Sequence, residues 1–571
     1  MYGFFGTIST KSTAEYDLTE LHSDAIVRRF NDGRLRLVQA TLPKFMRDKI
    51  FIETDDALYA IEGIILNSLE LSQAYNGATL DTLIPKLYAK YGDKFATCLI
   101  GTFTLLIYNK HTSECRLYSD QTGSKILFYH TNNHCVHFAA DMKILCAKLR
   151  TDGYQLTANI AAIRETFFDL GLSNSKTIIS DIHCLRAGEC IIIDKDYHVT
   201  VKQYHHFHNI PNDNSFSQNI EETDRLFRQA VNRILNKNAE YGYRNIMPLS
   251  AGNDSRMTNW VARDLTDAPI TNFSYSQSGF REETVPCKIA QALGNDYIFM
   301  PLDGGEYVYN AIEDAVRANN GLVYYTGTAQ GVFAIRRIAD IPNVGCIATG
   351  IIGEIMQPRC PRYEGALLRF RKILNINHNA DSSMIYYLYR LSFNTYLMGS
   401  GTAFQLFTET YSPFQDTDFL QFILTVPVLQ RHNYRLYDNW ILKKYPKTAT
   451  WKSNQHIIGH RPHVLAYKHY EIEIKALPKL LIFFILKRLR LMRRGSIETI
   501  GNNMNPYDTW FDTNPKIREC YEQILTKNIH HLEPFPDEKQ FAIDVIHNGR
   551  MTYKARVITV LTALGMFLGE D

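Results

Sequence analysis

No CxxC pair occurs among the ten cysteines, and no HExxH or comparable helical spacing occurs among the nineteen histidines. The first absence removes a zinc ribbon and a disulfide framework, leaving reduced thiols, and the second leaves no histidine to assign as a metal ligand. There is no GxxxxGK[ST] stretch, so a nucleotide, if bound, is not held by a P-loop of that kind. Net charge is only +3, which gives no global polyanion signal and no expectation of a nucleic-acid partner. The N-terminus, MYGFFGTIST, has no basic region followed by a long apolar stretch, so no secretory signal is expected and the location expected is cytoplasmic. The apolar run beside the main basic cluster, LLIFFIL from Leu480 to Leu486, is far short of the roughly 20 residues a bilayer crossing needs. Followed by KRLRLMRRG, it reads either as a buried helix with a solvated basic end or as an interfacial helix, through 480–494, touching an anionic membrane or a lipid-linked substrate.

What is present is a long globular chain. At 571 residues it exceeds one ordinary core, and 45% hydrophobic with 21% charged residues is globular composition. The first two hundred residues consist of short strand-like runs such as DALYAIEGIILN, ATCLIGTFTLLIYNK and GECIIIDKDYHVTVKQY, whose alternating apolar and β-branched residues predict packed antiparallel sheets. A helix is expected at LDTLIPKLYAKYG. From about Phe216 the pattern becomes helix, strand, helix: EETDRLFRQAVNRILNKNAE, NIMPLS, an apolar helix through Trp260, PITNFSYS, TVPCKIAQALG. That alternation predicts a parallel sheet flanked by helices. The polar, aperiodic stretch 205–219 separates the two, giving domains at 1–208 and 216–571.

The chemistry concentrates in NIMPLSAGNDSRM, residues 245–257. A parallel sheet presents the carboxyl ends of its strands at one edge, where ligands bind. Ser250, Gly252, Asp254 and Ser255 follow the first such strand. A helix starting within DSRMTNWVARDL would aim free N–H groups and its dipole at an anion. The two hydroxyls add donors, and Gly252 admits close backbone approach. Asp254 would repel a bare phosphate but suits Mg²⁺ bridging phosphate oxygens. The competing reading is an ordinary turn and N-cap.

"LSAGNDSR" resembles the pyrophosphate-binding SGGxDS loop of the asparagine synthetase family, which includes β-lactam synthetases and lasso-peptide cyclases. FSYSQSGFREETVPCKIAQALGNDYIFMPL resembles that family's strand, loop and helix around adenosine, and IATGIIGEIMQPR, 347–359, its second nucleotide loop. AIEGIILNSLEL, LIGTFTLLIYN, SDQTGSKILFYH and TIISDIHCLRAGECIII are similar to the glutamine-amidotransferase-like domain that precedes the synthetase domain. The resemblance implies two domains, α+β and α/β. The first is an Ntn-hydrolase-like sandwich of antiparallel sheets. The second is a parallel-sheet ATP-pyrophosphatase (adenine nucleotide α-hydrolase-like) domain with added helices.

It also implies roles. Asp254 and Glu354 would hold Mg²⁺, and Lys452 is either a late lysine stabilising intermediates or a solvated loop lysine. Leu249, Ser250, Gly252, Asp254, Ser255, Phe273, Ser274, Thr349 and Gly350 would contact ATP, although Thr349 and Gly350 also fit an ordinary strand-ending turn. Arg256 is either a second cation for the phosphates or a salt-bridged helix residue, and Leu249 and Phe273 could equally be core. Tyr324 and Tyr325 either line an acceptor pocket or belong to core and rim.

Three departures matter. Glutaminase members of the family carry cysteine after the initiator methionine, where this chain has Tyr2. A phenol does not replace a thiol in attacking an amide, so no glutaminase activity is expected, and Asn67, Asn76 and Gly77 are read as fold-supporting. Ala251 stands in place of glycine and fits only if its φ is negative. Ile351 and Ile352 replace more polar loop residues. The resemblance then implies an ATP- and Mg²⁺-dependent, AMP-forming ligase. It would adenylate a small-molecule or peptide carboxylate and pass it to an amine or ammonia, and a homodimer is compatible with it. The alternative is a catalytically impaired nucleotide-binding or scaffold member.

Overall fold

The structure is a computed structural model that describes residues 2–11, 13–21, 24–132, 134–168, 172, 175–356, 401–431, 434–451, 464–467, 470–473 and 503–569, with the single residues 393, 399, 458, 478 and 485. Lys452 and the 480–494 segment, apart from Ile485, lie outside the described residues.

Alternating side chains in the first two hundred residues build two six-stranded antiparallel sheets. One has the order β10-β8-β9-β1-β3-β2 and the other β12-β11-β7-β6-β5-β4. The strands are β1 Gly3–Ile8, β2 Ile26–Asn31, β3 Leu35–Thr41, β4 Phe51–Glu53, β5 Ala57–Ile65, β6 Gly101–Asn109, β7 Cys115–Ser119, β8 Phe128–Asn132, β9 Cys135–Ala139, β10 Ile182–Cys184, β11 Glu189–Ile193 and β12 Val199–Gln203. Phe4, Ile8, Leu35 and Leu37 of the first sheet share a core with Leu58, Leu106, Leu117 and Ile191 of the second, the face-to-face packing of a sandwich. The expected helix runs Leu80–Tyr91 and buries Leu80, Leu83, Ile84 and Leu87, one helical face.

Ser215 and Gln218 form a reciprocal capping box that starts a long helix, Phe216–Glu240, separated from the end of β12 by residues 204–215. Beyond it β13 (Asn245–Pro248), β14 (Ile270–Ser276) and β15 (Asp296–Pro301) form a parallel sheet, and β16 (Ile347–Ala348) pairs in parallel with β17 (Thr410–Tyr411). A parallel bridge between Arg244 and Val344 joins the two groups, with Arg244 N donating to Asn343 O at 2.8 Å and Gly345 N to Arg244 O at 3.2 Å. The order is therefore β15-β14-β13-β16-β17, and it reverses between β13 and β16. Ligands of open parallel sheets bind at such a reversal, beyond the carboxyl ends of the strands.

The two regions are not separate cores. One apolar cluster contains Phe5, Leu145 and Phe167 of the first region together with Phe273, Tyr325, Leu561 and Phe567 of the second. The helix Met551–Leu568 lies in this cluster. Among the described residues it alone is long and apolar enough to cross a membrane, and it is 67% buried against the rest of the protein. Arg556 donates to Phe167 O at 3.3 Å, tying it to the first region. Tyr325 is fully buried, donating to Val308 O at 2.7 Å and paired with the Tyr521 hydroxyl at 2.6 Å, so it belongs to core.

Candidate functional site

β13 ends at Pro248 and the helix Asn253–Leu265 begins at Asn253, with Gly252 as N-cap. The residues between form a tight strand-to-helix turn whose N–H groups are all taken. Ser250 N donates to Ser255 Oγ at 2.9 Å, Ala251 N to Glu282 Oε2 at 2.6 Å, and Gly252 N to Ser250 Oγ at 3.1 Å. The Ser250 and Ser255 hydroxyls are 2.8 Å apart. Ala251 is not among the residues with positive φ, so its methyl is accommodated. Gly252 has φ −72° and is not needed for a left-handed turn; a Cβ there would stand 3.1 Å from Ser250 Oγ, so it matters for room.

The second loop closes on the first. A Cβ on Gly350 would lie 2.6 Å from Ser255 N, and one on Gly353 would lie 2.2 Å from Asp254 Cγ. Only glycine allows these approaches. Between them Ile352 is fully buried with φ +72°, a conformation costly for a β-branched residue and concentrated at functional sites. Thr349 N donates to Tyr411 O at 2.9 Å, and its side chain shares a cavity of about 10 Å³ with Ser124 of the first region and Gln415. Glu354 follows Gly353 directly in a short 3₁₀ turn.

Asp254 is partly exposed, yet its carboxyl is crowded by Gly353 and accepts a hydrogen bond from Tyr437 at 2.8 Å. Burial pushes its pKa up to about 6, against the Tyr437 hydrogen bond, which lowers it. A carboxyl desolvated in this way, with Tyr437 as its side-chain donor among the described residues, is chemically suited to a hard cation. Tyr437 comes from the helix Arg435–Lys444, and nothing local in the sequence marks it.

Arg256 is fully buried and spends its guanidinium on backbone carbonyls. It donates to Thr448 O at 3.0 Å, Trp451 O at 2.9 Å and Ala251 O at 3.0 Å. Through these carbonyls it clamps the turn to the 446–451 segment. Leu249 packs with Ile289 and Ala290, and Phe273 is buried in the large core, so their side chains are taken up by packing. Ser274 Oγ donates to Glu282 O at 2.9 Å.

The corresponding centre of the first region is different. Tyr2 is buried, and burial, then Asp24 and Glu62, hold its phenol far above the ordinary range. Glu62 lies in a buried ion cluster: Lys49 Nζ is 3.4 Å from Glu62 and 3.3 Å from Glu409, and Lys125 Nζ is 3.9 Å and 3.0 Å from the same two. Glu409 comes from the residue before β17. Burial opposes the charge on Lys125, but Glu409 and Glu62 outweigh it and hold its pKa up. Each of the six cysteines in the first region has its thiol pushed up by burial, so none is a ready thiolate. Asn67 accepts from Ile100 N at 2.9 Å and donates to Cys98 O at 2.9 Å, a fold-supporting use.

Residues 47–205 match the glutamine amidotransferase domain family. Over 264 residues the chain is 25% identical to asparagine synthetase [glutamine-hydrolyzing] 1 of Bacillus subtilis (strain 168), covering 44% of this chain and 40% of the relative. The similarity thus spans less than half of that relative. Solved structures that overlap it include the allosteric regulatory enzyme of purine biosynthesis, at 9% identity and TM-score 0.23 over 52% of this chain and 74% of that one. Glutamine phosphoribosylpyrophosphate amidotransferase from B. subtilis, complexed with ADP and GMP, overlaps at 10% identity and TM-score 0.22 over 61% and 75%. NMN synthetase from Francisella tularensis overlaps at 15% and 0.19 over 41% and 97%.

Proposed function

We propose that this chain is an ATP- and Mg²⁺-dependent carbon–nitrogen ligase that adenylates a carboxylate and transfers the acyl group to an amine or ammonia. The observation that carries the reading is the convergence of the Ser250–Ser255 turn and the Thr349–Gly353 loop on one carboxyl, Asp254, at the reversal point of the parallel sheet. Asp254, with Glu354 beside the Gly353 contact, would hold the metal. Bound Mg²⁺ supplies charge to the phosphate oxygens as pyrophosphate leaves. The turn's hydroxyls and N–H groups orient the phosphate chain, the helix Asn253–Leu265 directs its dipole at it, and Arg256 keeps the turn rigid. Tyr437 fixes the rotamer of Asp254.

The nitrogen comes from outside the chain. A buried phenol at position 2, the ion cluster beside it and six burial-raised thiols all argue against glutamine hydrolysis within the first region. The acceptor is a small molecule or a peptide, and the cytoplasm is the proposed location. A second reading, a nucleotide-binding scaffold without turnover, is favoured by the left-handed Ile352 and by the closure of Gly353 over Asp254.

Pyrophosphate release from ATP, measured with a panel of carboxylates and amines, tests the proposal. Wild type releases pyrophosphate and Asp254→Ala loses at least roughly a hundredfold of that rate. Nucleotide binding without release selects the scaffold; neither binding nor release sinks both.

A further inference from the structure

Of three consecutive N–H donors in the turn, two bond to hydroxyls of the turn itself, Ser255 Oγ and Ser250 Oγ. Hydroxyls can rotate and donate to an arriving phosphate while still accepting. The middle donor, Ala251 N, is held instead by a charged group from a different element, Glu282 Oε2 at 2.6 Å. A carboxylate only accepts, as a phosphate oxygen does, so the two cannot share that N–H. Glu282 is 4% exposed and lies in the first turn of the helix Arg281–Leu293. Its backbone is anchored, since its carbonyl accepts the Ser274 hydroxyl at 2.9 Å. Of the parts of Glu282 it is the side chain, with three rotatable bonds, that would have to yield.

We infer that Glu282 is an internal competitor for phosphate: its carboxylate occupies the Ala251 N–H that a pyrophosphate oxygen takes, and it withdraws when nucleotide binds. The inference rests on the proposed nucleotide role of the turn. Glu282 thereby sets the anion affinity of the site and, by returning to Ala251 N, helps expel pyrophosphate after reaction. A purely structural Glu282 would make the opposite contribution, holding the turn in its binding shape.

The two roles differ in sign. Binding of Mg²⁺-pyrophosphate and of Mg²⁺-ATP to the full chain is measured by calorimetry for wild type, Glu282→Gln, Glu282→Ala and, as a neighbouring charge control, Glu283→Ala. Removing one negative charge beside the bound phosphate is expected to tighten pyrophosphate binding roughly tenfold in both Glu282 variants, and Glu283→Ala stays within about twofold of wild type. Equal or weaker binding in folded Glu282→Gln overturns the inference and leaves the ligase proposal standing. Absence of any binding in wild type and all variants overturns the nucleotide reading and the inference with it. Should the variants not fold, a crystal structure of wild type with Mg²⁺-pyrophosphate decides. A phosphate oxygen on Ala251 N with Glu282 displaced beyond about 3.5 Å supports the inference, and an unbroken Glu282–Ala251 contact overturns it.

Discussion

Both regions of the chain close a polar centre, and they close it with different materials. Where the antiparallel sandwich meets the second region, the centre around Tyr2 is filled with charge: Lys49, Glu62, Lys125 and Glu409, each at most 9% exposed, neutralise one another. At the edge of the parallel sheet the centre around Asp254 is closed by backbone, with Gly350 and Gly353 laid on the turn and Ile352 held left-handed. A buried ion network has no cheap alternative arrangement, because every partner that leaves strands another charge. A loop resting on contact and strain is held differently, because the left-handed Ile352 costs energy that the surrounding contacts must offset. The first centre is therefore locked and the second latched. This difference accords with the proposal that the ligase chemistry belongs to the second region.

The largest effect should come from breaking the lock. Glu409→Ala leaves Lys49 and Lys125 with one carboxylate between them, and is expected to cost about 3–5 kcal/mol in urea unfolding. Glu409 also precedes β17, so the damage should reach the Thr349 strand pairing. A loss under about 1 kcal/mol would show that water reaches the cluster and that the centre is not locked.

A smaller effect is expected from wedging the latch. In Gly350→Ala the new methyl meets backbone, Ser255 N at 2.6 Å, which cannot swing aside as a side chain can, so a loss of about 1–3 kcal/mol in stability is expected. Nucleotide binding should change with it, because the loop can no longer seat on the turn. Unchanged melting temperature and unchanged ATP binding in this variant would contradict the close approach of the two loops.

Much of this contrast is readable from sequence, and the unreadable part has a common cause. The alternation of strands, the helix–strand alternation after Phe216 and the turn at Ser250–Ser255 are set by short-range patterns, and the structure follows them. The capping box at Ser215 and Gln218 is local as well, but it lies inside a polar stretch whose lack of periodicity reads as linker. The glycines of the second loop are visible, but their reason, the approach to Ser255 and Asp254, is not. Tyr437 lies 183 positions from Asp254 and Glu282 lies 31 from Ala251. The ion cluster joins Lys49 to Glu409 across the expected boundary. Such contacts depend on where distant elements dock, which no periodicity encodes. The continuous core across the expected boundary is hidden for the same reason, since Phe5 and Phe567 enter one cluster only on folding.

Acid should separate the two regions by sign, with the smallest effect of the series. In the first region burial, aided by nearby Lys148, pulls His137 down to about 3, and burial pulls His205 down to about 4, from an ordinary 6.5. The unfolded chain takes up protons near pH 6.5 that the folded chain refuses. Stability contributed by these groups is intact above that pH and is lost as pH falls toward the folded values, reaching at most about 2 kcal/mol each at pH 5. In the second region burial pushes Asp416 up to about 6 from 3.8, against the opposing pull of Arg233. Here the folded chain holds the proton more tightly, so its burden is greatest above pH 6 and eases as pH falls, by about 1 kcal/mol between pH 7 and pH 5. Hydrogen exchange, corrected for the intrinsic rate at each pH, should therefore show β8 and β9 losing protection at pH 5 while Thr417–Thr425, which Asp416 caps, gains it. If both segments move in the same direction, shared unfolding through the common core outweighs the local charges, and the two regions respond to acid as one unit.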